Sequence, residues 1–228
     1  MFLNVDAGEL ENEPEELYAV AQVVNIACGG HAGDEASMTR VLAFCKRFGT
    51  RAGAHPSYPD RANFGRKAMV IAPDALGAAV AEQCHALASC AHAHGDVPIP
   101  FVKLHGALYH AANGDVMLAR AALKGIIEAL GWEITVIGPG PHILGGAMID
   151  AARELGLRYA REGFADRGMR ADGSLVPRGE PGAMIDDPAR AAEQARVLAR
   201  SGAVDTICVH GDGKNALAVA RAVRAVMP

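Results

Sequence analysis

The chain has 228 residues, with 22 Lys and Arg against 26 Asp and Glu, and a formal charge of −4. Charges of both signs are interspersed and no Lys/Arg block occurs, which argues against a nucleic-acid footprint or a membrane-surface patch and towards small-molecule chemistry. Half of the residues are apolar while only 5% are aromatic, so the core must be built mainly from Ala, Val, Ile and Leu, and the length suits one α/β barrel domain over residues 1–228.

The opening residues Met1 to Asp6 have neither a basic region nor an apolar run of the kind that directs secretion. Cys28, Cys45, Cys84, Cys90 and Cys208 are odd in number and lack C-x-x-C spacing, which fits a reduced, cytoplasmic protein better than a disulfide framework. No apolar stretch is long enough to span a bilayer.

The first apolar run, Phe2–Val5, reads as a buried strand and is followed by Asp6. The second, Val23–Ala27, leads through Gly29 and Gly30 to His31 and Asp34. The glycines turn the chain sharply and present His31 at a rim, while Asp34 before Glu35-Ala36-Ser37 reads as a helix cap. Cys28 fits a small buried residue at a strand end better than a nucleophile. The third run, Arg51–Ala54, is followed by His55, whose direction Pro56 constrains, and then by a long connection to Pro73. Arg66 in that connection suits either a carboxylate clamp or a surface ion pair.

Over Asp74–His94 the apolar residues Leu76, Val80, Cys84, Leu87 and Ala91 share one helical face, with His85 and His92 opposite and His94 at the helix end. The fourth run, Pro100–Lys103, places Lys103 and His105 on one side. A lysine closing an apolar strand is costly to bury, and it suits an electrophile or, with a depressed pKa, a base, with His105 as proton shuttle. His110 reads as a helix-start residue. Ile134–Gly138 runs blandly into Gly138-Pro139-Gly140-Pro141, a tight connection, with His142 in a loop. After Arg158–Glu162 come Asp166 and Arg167, then a long stretch from Phe164 to Asp187 in which Asp172-Gly173 marks a hairpin flanked by Arg167, Arg170 and Arg178. This stretch is expected to form a flap over the site. The seventh run, Thr206–Val209, ends in His210 and Asp212, before a helical segment over Lys214–Met227.

Strands alternating with helices imply a parallel sheet with right-handed crossovers, either a closed barrel or an open doubly wound sheet. Polar residues follow nearly every strand, whereas an open sheet gathers them at one switch point, so the barrel is favoured. Asp6, His31, His55, Lys103, His105 and His210 should then converge at the C-terminal strand ends.

Taken in order, Leu3-Asn-Val-Asp-Ala-Gly-Glu9, Asn25-Ile-Ala-Cys-Gly-Gly-His-Ala-Gly-Asp34, Gly53-Ala-His-Pro-Ser-Tyr-Pro-Asp60 with Phe64-Gly-Arg66, Lys103-Leu-His-Gly-Ala-Leu-Tyr109, Phe164-Ala-Asp-Arg167, Leu175-Val-Pro-Arg178 and Asp205 to Gly213 resemble the LamB/YcsF family. The resemblance runs nearly end to end. It implies a distorted (β/α) barrel of about seven parallel strands, related to glycoside hydrolase and deacetylase barrels. It also implies membership, with two partner subunits, of an ATP-dependent 5-oxoprolinase that opens the lactam 5-oxo-L-proline to L-glutamate. Val5, Ala7, Gly30 and Leu104 depart from the usual motifs, which bears on the substrate and on docking to partners.

Carried over onto these motifs, the expected catalytic groups are Asp6, His31, His55, Lys103, His105, Asp166 and His210. Glu9, Asn25, Arg66, Tyr109, Arg167, Arg178 and Asp212 are expected to bind substrate. The chain lacks a G-x-x-x-x-G-K-[ST] loop, so ATP is assigned to the complex as a whole, and self-association is left open. Two other readings stand beside this one: a metal-dependent deacetylase or amidohydrolase with Asp6, His31 and His55 as ligands to a divalent metal, and a non-catalytic substrate-binding subunit.

Overall fold

The computed structural model describes residues 1–228 except Pro141, His142, Leu144, Ala171 and Gly173. Seven strands, β1 (Phe2–Ala7), β2 (Val23–Ala27), β3 (Arg51–His55), β4 (Phe101–Lys103), β5 (Thr135–Pro139), β6 (Arg158–Phe164) and β7 (Thr206–His210), lie in sequence order around a closed barrel. All pairs are parallel, and β1 closes the barrel against β7. Several strands run a residue or two past their apolar runs because polar end residues stay in the ladder, as in the Asp6–His210 and Ala27–His55 pairings. Pro141 and His142 lie outside the described residues.

Eight α-helices are described: α1 (Glu15–Val20), α2 (Glu35–Phe48), α3 (Pro73–Ala93), α4 (Gly106–Gly114), α5 (Val116–Leu130), α6 (Ala147–Glu154), α7 (Pro188–Ser201) and α8 (Ala216–Val226). Two of them follow β4, so strict alternation breaks there. Asp34 caps α2 in a reciprocal box with Ser37, as its position before the helix suggests. Pro73 and Pro188 occupy first-turn positions, where a missing N–H costs nothing. α1 offers no readable period, since it is one and a half turns long with only Leu17 and Tyr18 buried. His85 and His92 are exposed, and His94 caps the end of α3. His110 is not a helix-start residue: it lies inside α4 and borders the cavity described below. No helix among the described residues is long and apolar enough to cross a membrane.

The outward strand faces and the helices share one large apolar core that includes Leu3, Val5, Ile26, Leu76, Leu87, Ile126, Ile207 and Val219. A second, small cluster of Val23, Phe101, Ile137 and Ala160, with Phe2 packed against it, occupies the alternate face. Continuing two residues from that cluster along β1, β2, β4 and β6 gives the polar residues Asn4, Asn25, Lys103 and Glu162, and along β5 it gives Pro139. Lys103 on β4 bonds Asp6 on β1, strands that are not neighbours, so these side chains meet across the lumen. The interior is therefore an apolar plug at the N-terminal end with a polar layer above it, opening at the C-terminal mouth.

Candidate active site

The mouth holds a cavity of about 470 Å³. Asp6, His55, Lys103, His105, Tyr109, His110 and His210 border its inner part, and Arg66, Arg167, Arg178 and Val176 come from the long loops above. The expected convergence at the C-terminal strand ends is what the structure shows.

Lys103 forms the hub of the polar layer. Its Nζ lies 2.9 and 3.1 Å from the Asp6 carboxylate oxygens, 3.0 Å from Glu162 Oε1 and 3.0 Å from Cys208 Sγ. Burial opposes its charge, but Asp6, Cys208 and Glu162 outweigh it and hold the ammonium well above its usual pKa. Lys103 is thus a permanent cation, which removes the base reading, and its three N–H donors are engaged by protein groups, which weakens the electrophile reading. Burial would raise the Asp6 carboxyl, yet His55 and Lys103 keep it well below the usual carboxylate range. Asn25 is expected to bind substrate, but it lies beneath the cavity, donating to Asn4 Oδ1 and Asp6 Oδ1 at 2.8 Å each. Tyr109 donates its hydroxyl to Glu162 Oε2 at 2.8 Å.

His210 and Asp166 form an oriented dyad. The ring Nδ1 sits 3.0 and 3.1 Å from the two Asp166 oxygens, and the His210 backbone N–H donates to the same carboxylate at 2.7 Å. Burial acts to raise Asp166, but His210 and Arg178 hold it below its ordinary value. An ionised Asp166 places the proton on Nδ1 and leaves Nε2, 3.9 Å from Asp6 Oδ2 on a ring that borders the cavity, without one.

Behind His55 lies a second cluster. Glu9 Oε1 is 3.0 Å from His31 Nε2, 3.3 Å from His105 Nδ1 and 3.9 Å from His55 Nε2. Burial pushes His105 down to about 3, only partly offset by Glu9. Glu9, expected to contact substrate, instead faces three imidazoles and does not border the cavity. His31 also sits back from the cavity, its ring stacked on His105 with centroids 3.6 Å apart. Asp6 Oδ2 lies 3.5 Å from His55 Nε2, but the Asp6 carboxylate is held by Lys103, and the donor atoms that gather with those of His31 and His55 are those of Glu9 and His105, which corrects the metal set Asp6, His31, His55.

The arginines divide by role. Arg66 pairs with Asp212 and lies over Phe64, and Arg178 Nη1 reaches the same Asp212 oxygen at 3.3 Å. Asp212 therefore holds two arginines, and a carboxylate so placed is no ligand for an anion. Arg167 is buried and donates to the carbonyls of Ala183 (3.1 Å) and Val176 (2.8 Å), so it ties the flap together. The flap is ordered by antiparallel bridges Arg167–Met184 and Met169–Leu175, the latter flanking the expected turn, of which Gly173 lies outside the described residues. Cys28 is buried with its thiol pushed up to about 12, as befits a packing residue.

Sequence reasoning misses two groups. Glu162 is fully buried opposite Lys103, and an acidic residue inside an apolar strand is a signal of the same kind that marks Lys103. Glu13 accepts from the N–H groups of Gly8, Glu9 and Leu10 and from Tyr18 Oη, fixing the loop that carries Glu9. The departure at Gly30 has a local cause: a Cβ there would stand 2.2 Å from Gln83 Oε1, which accepts from the Ser57 N–H at 2.9 Å.

The model of the LamB/YcsF family matches residues 1–228. The crystal structure of a lactam utilization protein from Thermus thermophilus is 34% identical with a TM-score of 0.86, covering 99% of this chain and 95% of that one. The catalytic domain of a mannanase from Streptomyces sp. SirexAA-E aligns at 10% identity and TM-score 0.39 over 86% and 70% of the two chains, a likeness that supports no further argument.

Proposed function

Because the chain belongs to the LamB/YcsF family, we propose that it opens the ring of 5-oxo-L-proline to L-glutamate as one subunit of an ATP-hydrolysing 5-oxoprolinase. The observation that carries this reading is the joining, in one cavity, of the oriented His210–Asp166 dyad below and the Arg66 and Arg178 guanidinium groups above. A lactam carbonyl is a weak electrophile and its nitrogen a poor leaving group. ATP, held with the help of the partner subunits, supplies the activation by phosphorylating the carbonyl oxygen. Water then adds to that carbon, giving its proton to His210 Nε2, while the Nδ1–H donates to Asp166. The ring C–N bond breaks as the nitrogen takes up a proton, which leaves the carbon as an acyl phosphate, and a second water hydrolyses that acyl phosphate to the glutamate carboxylate and inorganic phosphate. Lys103 and Asn25 hold Asp6 ionised and fixed on the cavity floor.

Arg178 is assigned to the substrate carboxylate because it is partly exposed at the rim and held by one distant oxygen of Asp212. A guanidinium grips a carboxylate with two parallel bonds and an ammonium does not, so Arg178→Lys should raise KM by roughly tenfold and leave kcat nearly unchanged. Steady-state kinetics on 5-oxo-L-proline and on its neutral carboxamide analogue check this. Loss of discrimination between acid and amide in the variant supports the clamp. An equal handicap of the variant on both compounds removes it and assigns Arg178 to holding the flap.

A further inference from the structure

We propose that Glu9, His55 and His105, joined by His31, form a binding site for one divalent cation of zinc type. The proposal stands beside the lactam reading without resting on it. The groups around the two inner rings fix where their protons lie. His55 Nδ1 lies 2.7 Å from the Lys103 carbonyl oxygen, and His105 Nε2 lies 3.0 Å from the Phe64 carbonyl oxygen. A carbonyl oxygen only accepts, so each ring carries its proton on that outer nitrogen. In two neutral rings the inner nitrogens, His55 Nε2 and His105 Nδ1, then present bare lone pairs to each other across 3.0 Å. Only a cation, a proton or a metal ion, makes that approach favourable.

Three further observations favour the metal. Outer-nitrogen bonds to backbone carbonyls are the supports that fix the tautomer of ligating histidines. The inner donor atoms are 3.0, 3.3 and 3.9 Å apart, bracketing the roughly 3.3 Å between donors that each sit about 2.0–2.1 Å from one tetrahedral ion. All four donor atoms lie within 4.8 Å of one another, and a nitrogen-rich set with one carboxylate suits zinc and its neighbours rather than calcium or magnesium. The site is also preorganised. Glu13 pins the loop bearing Glu9, and Gly65, at φ +63°, packs where a Cβ would come 2.9 Å from His31 Cβ and 3.1 Å from His105 Cδ2. His55 and His105 border the cavity, which gives the ion an entry path. In the second group of potential ligands among the described residues, Asp6, Cys208 and His210, the first two already hold a cation, the Lys103 ammonium. A bound ion of this class would supply Lewis-acid polarisation of a carbonyl oxygen at the cavity edge.

The test is metal uptake rather than turnover. The full chain is stripped with a chelator, dialysed, and titrated separately with Zn²⁺ and Co²⁺, read by calorimetry, visible absorption and melting temperature. We expect one ion per chain, a cobalt d–d band and a raised Tm. His105→Ala should weaken binding by roughly a hundredfold or more, beyond the usual loss from outer supports. Glu9→Gln, nearly isosteric, should weaken it by roughly tenfold and carries the comparison if His105→Ala does not fold. Failure of the folded wild type to take up either ion means that a proton bridges the two rings, and overturns the proposal. Wild-type affinity in Glu9→Gln and His105→Ala overturns it equally, and neither result bears on lactam opening.

Discussion

Lys103→Met should destabilise the protein by about 3–5 kcal/mol at neutral pH, because it leaves Asp6 and Glu162 as neighbouring buried carboxylates without their shared counter-ion. The aliphatic stem survives the change, so the loss is electrostatic rather than a packing defect. The pH dependence follows from Asp6. A carboxyl whose folded pKa is depressed contributes stability that is complete above its unfolded value of about 3.9 and is lost as pH falls through the folded value. Without Lys103 one cause of the depression is gone, so the deficit of the variant should be largest near neutrality and should narrow in acid, as Asp6 protonates. Urea unfolding of both proteins across pH checks this. A second change, Glu162→Gln, should restore part of the lost stability by removing one of the two charges. A Lys103→Met protein as stable as wild type at neutral pH would show that the lumen triad carries no such balance.

The second large effect is expected at Asp166. Asp166→Asn keeps the shape of the side chain but must meet two donors, the His210 backbone N–H and Nδ1–H, with an amide that has one oxygen. Turning the amide N–H₂ towards the ring forces the proton from Nδ1 to Nε2, where it blocks acceptance from water. The expected loss is roughly 10²–10⁴-fold in kcat, with KM and the far-UV spectrum little changed. A kcat within a few-fold of wild type, in a folded variant, would show that His210 takes no proton during turnover.

Much of the barrel is legible in the sequence because the signals are local. Seven apolar runs become seven strands, and the polar residue after most of them marks the mouth, as at Asp6, His55 and His210. What stays hidden is the partner of each group. Lys103 is conspicuous in an apolar strand, but only closure of the barrel shows that it faces Asp6 and Glu162, which lie 97 residues before it and on β6 after it. Without that partnership its charge reads as free for catalysis. The arginines mislead in the same way: Arg167 is spent on carbonyls of its own loop, a local bond that depends on how residues 168–184 fold back. Glu9 reads as a substrate contact because it closes the first motif, and its three imidazole neighbours come from β3 and from the loops after β2 and β4, which no spacing in the chain brings together.

The central claim, that this cavity opens the lactam, is tested most directly by a reconstituted assay. The chain is combined with the two partner subunits of a 5-oxoprolinase, ATP and 5-oxo-L-proline, and glutamate and phosphate are measured together. With the wild-type chain both should form in step, and with the folded Asp166→Asn chain both should fall by roughly 10²-fold or more. Glutamate formed at the same rate with either chain, or with this chain left out, would contradict the claim.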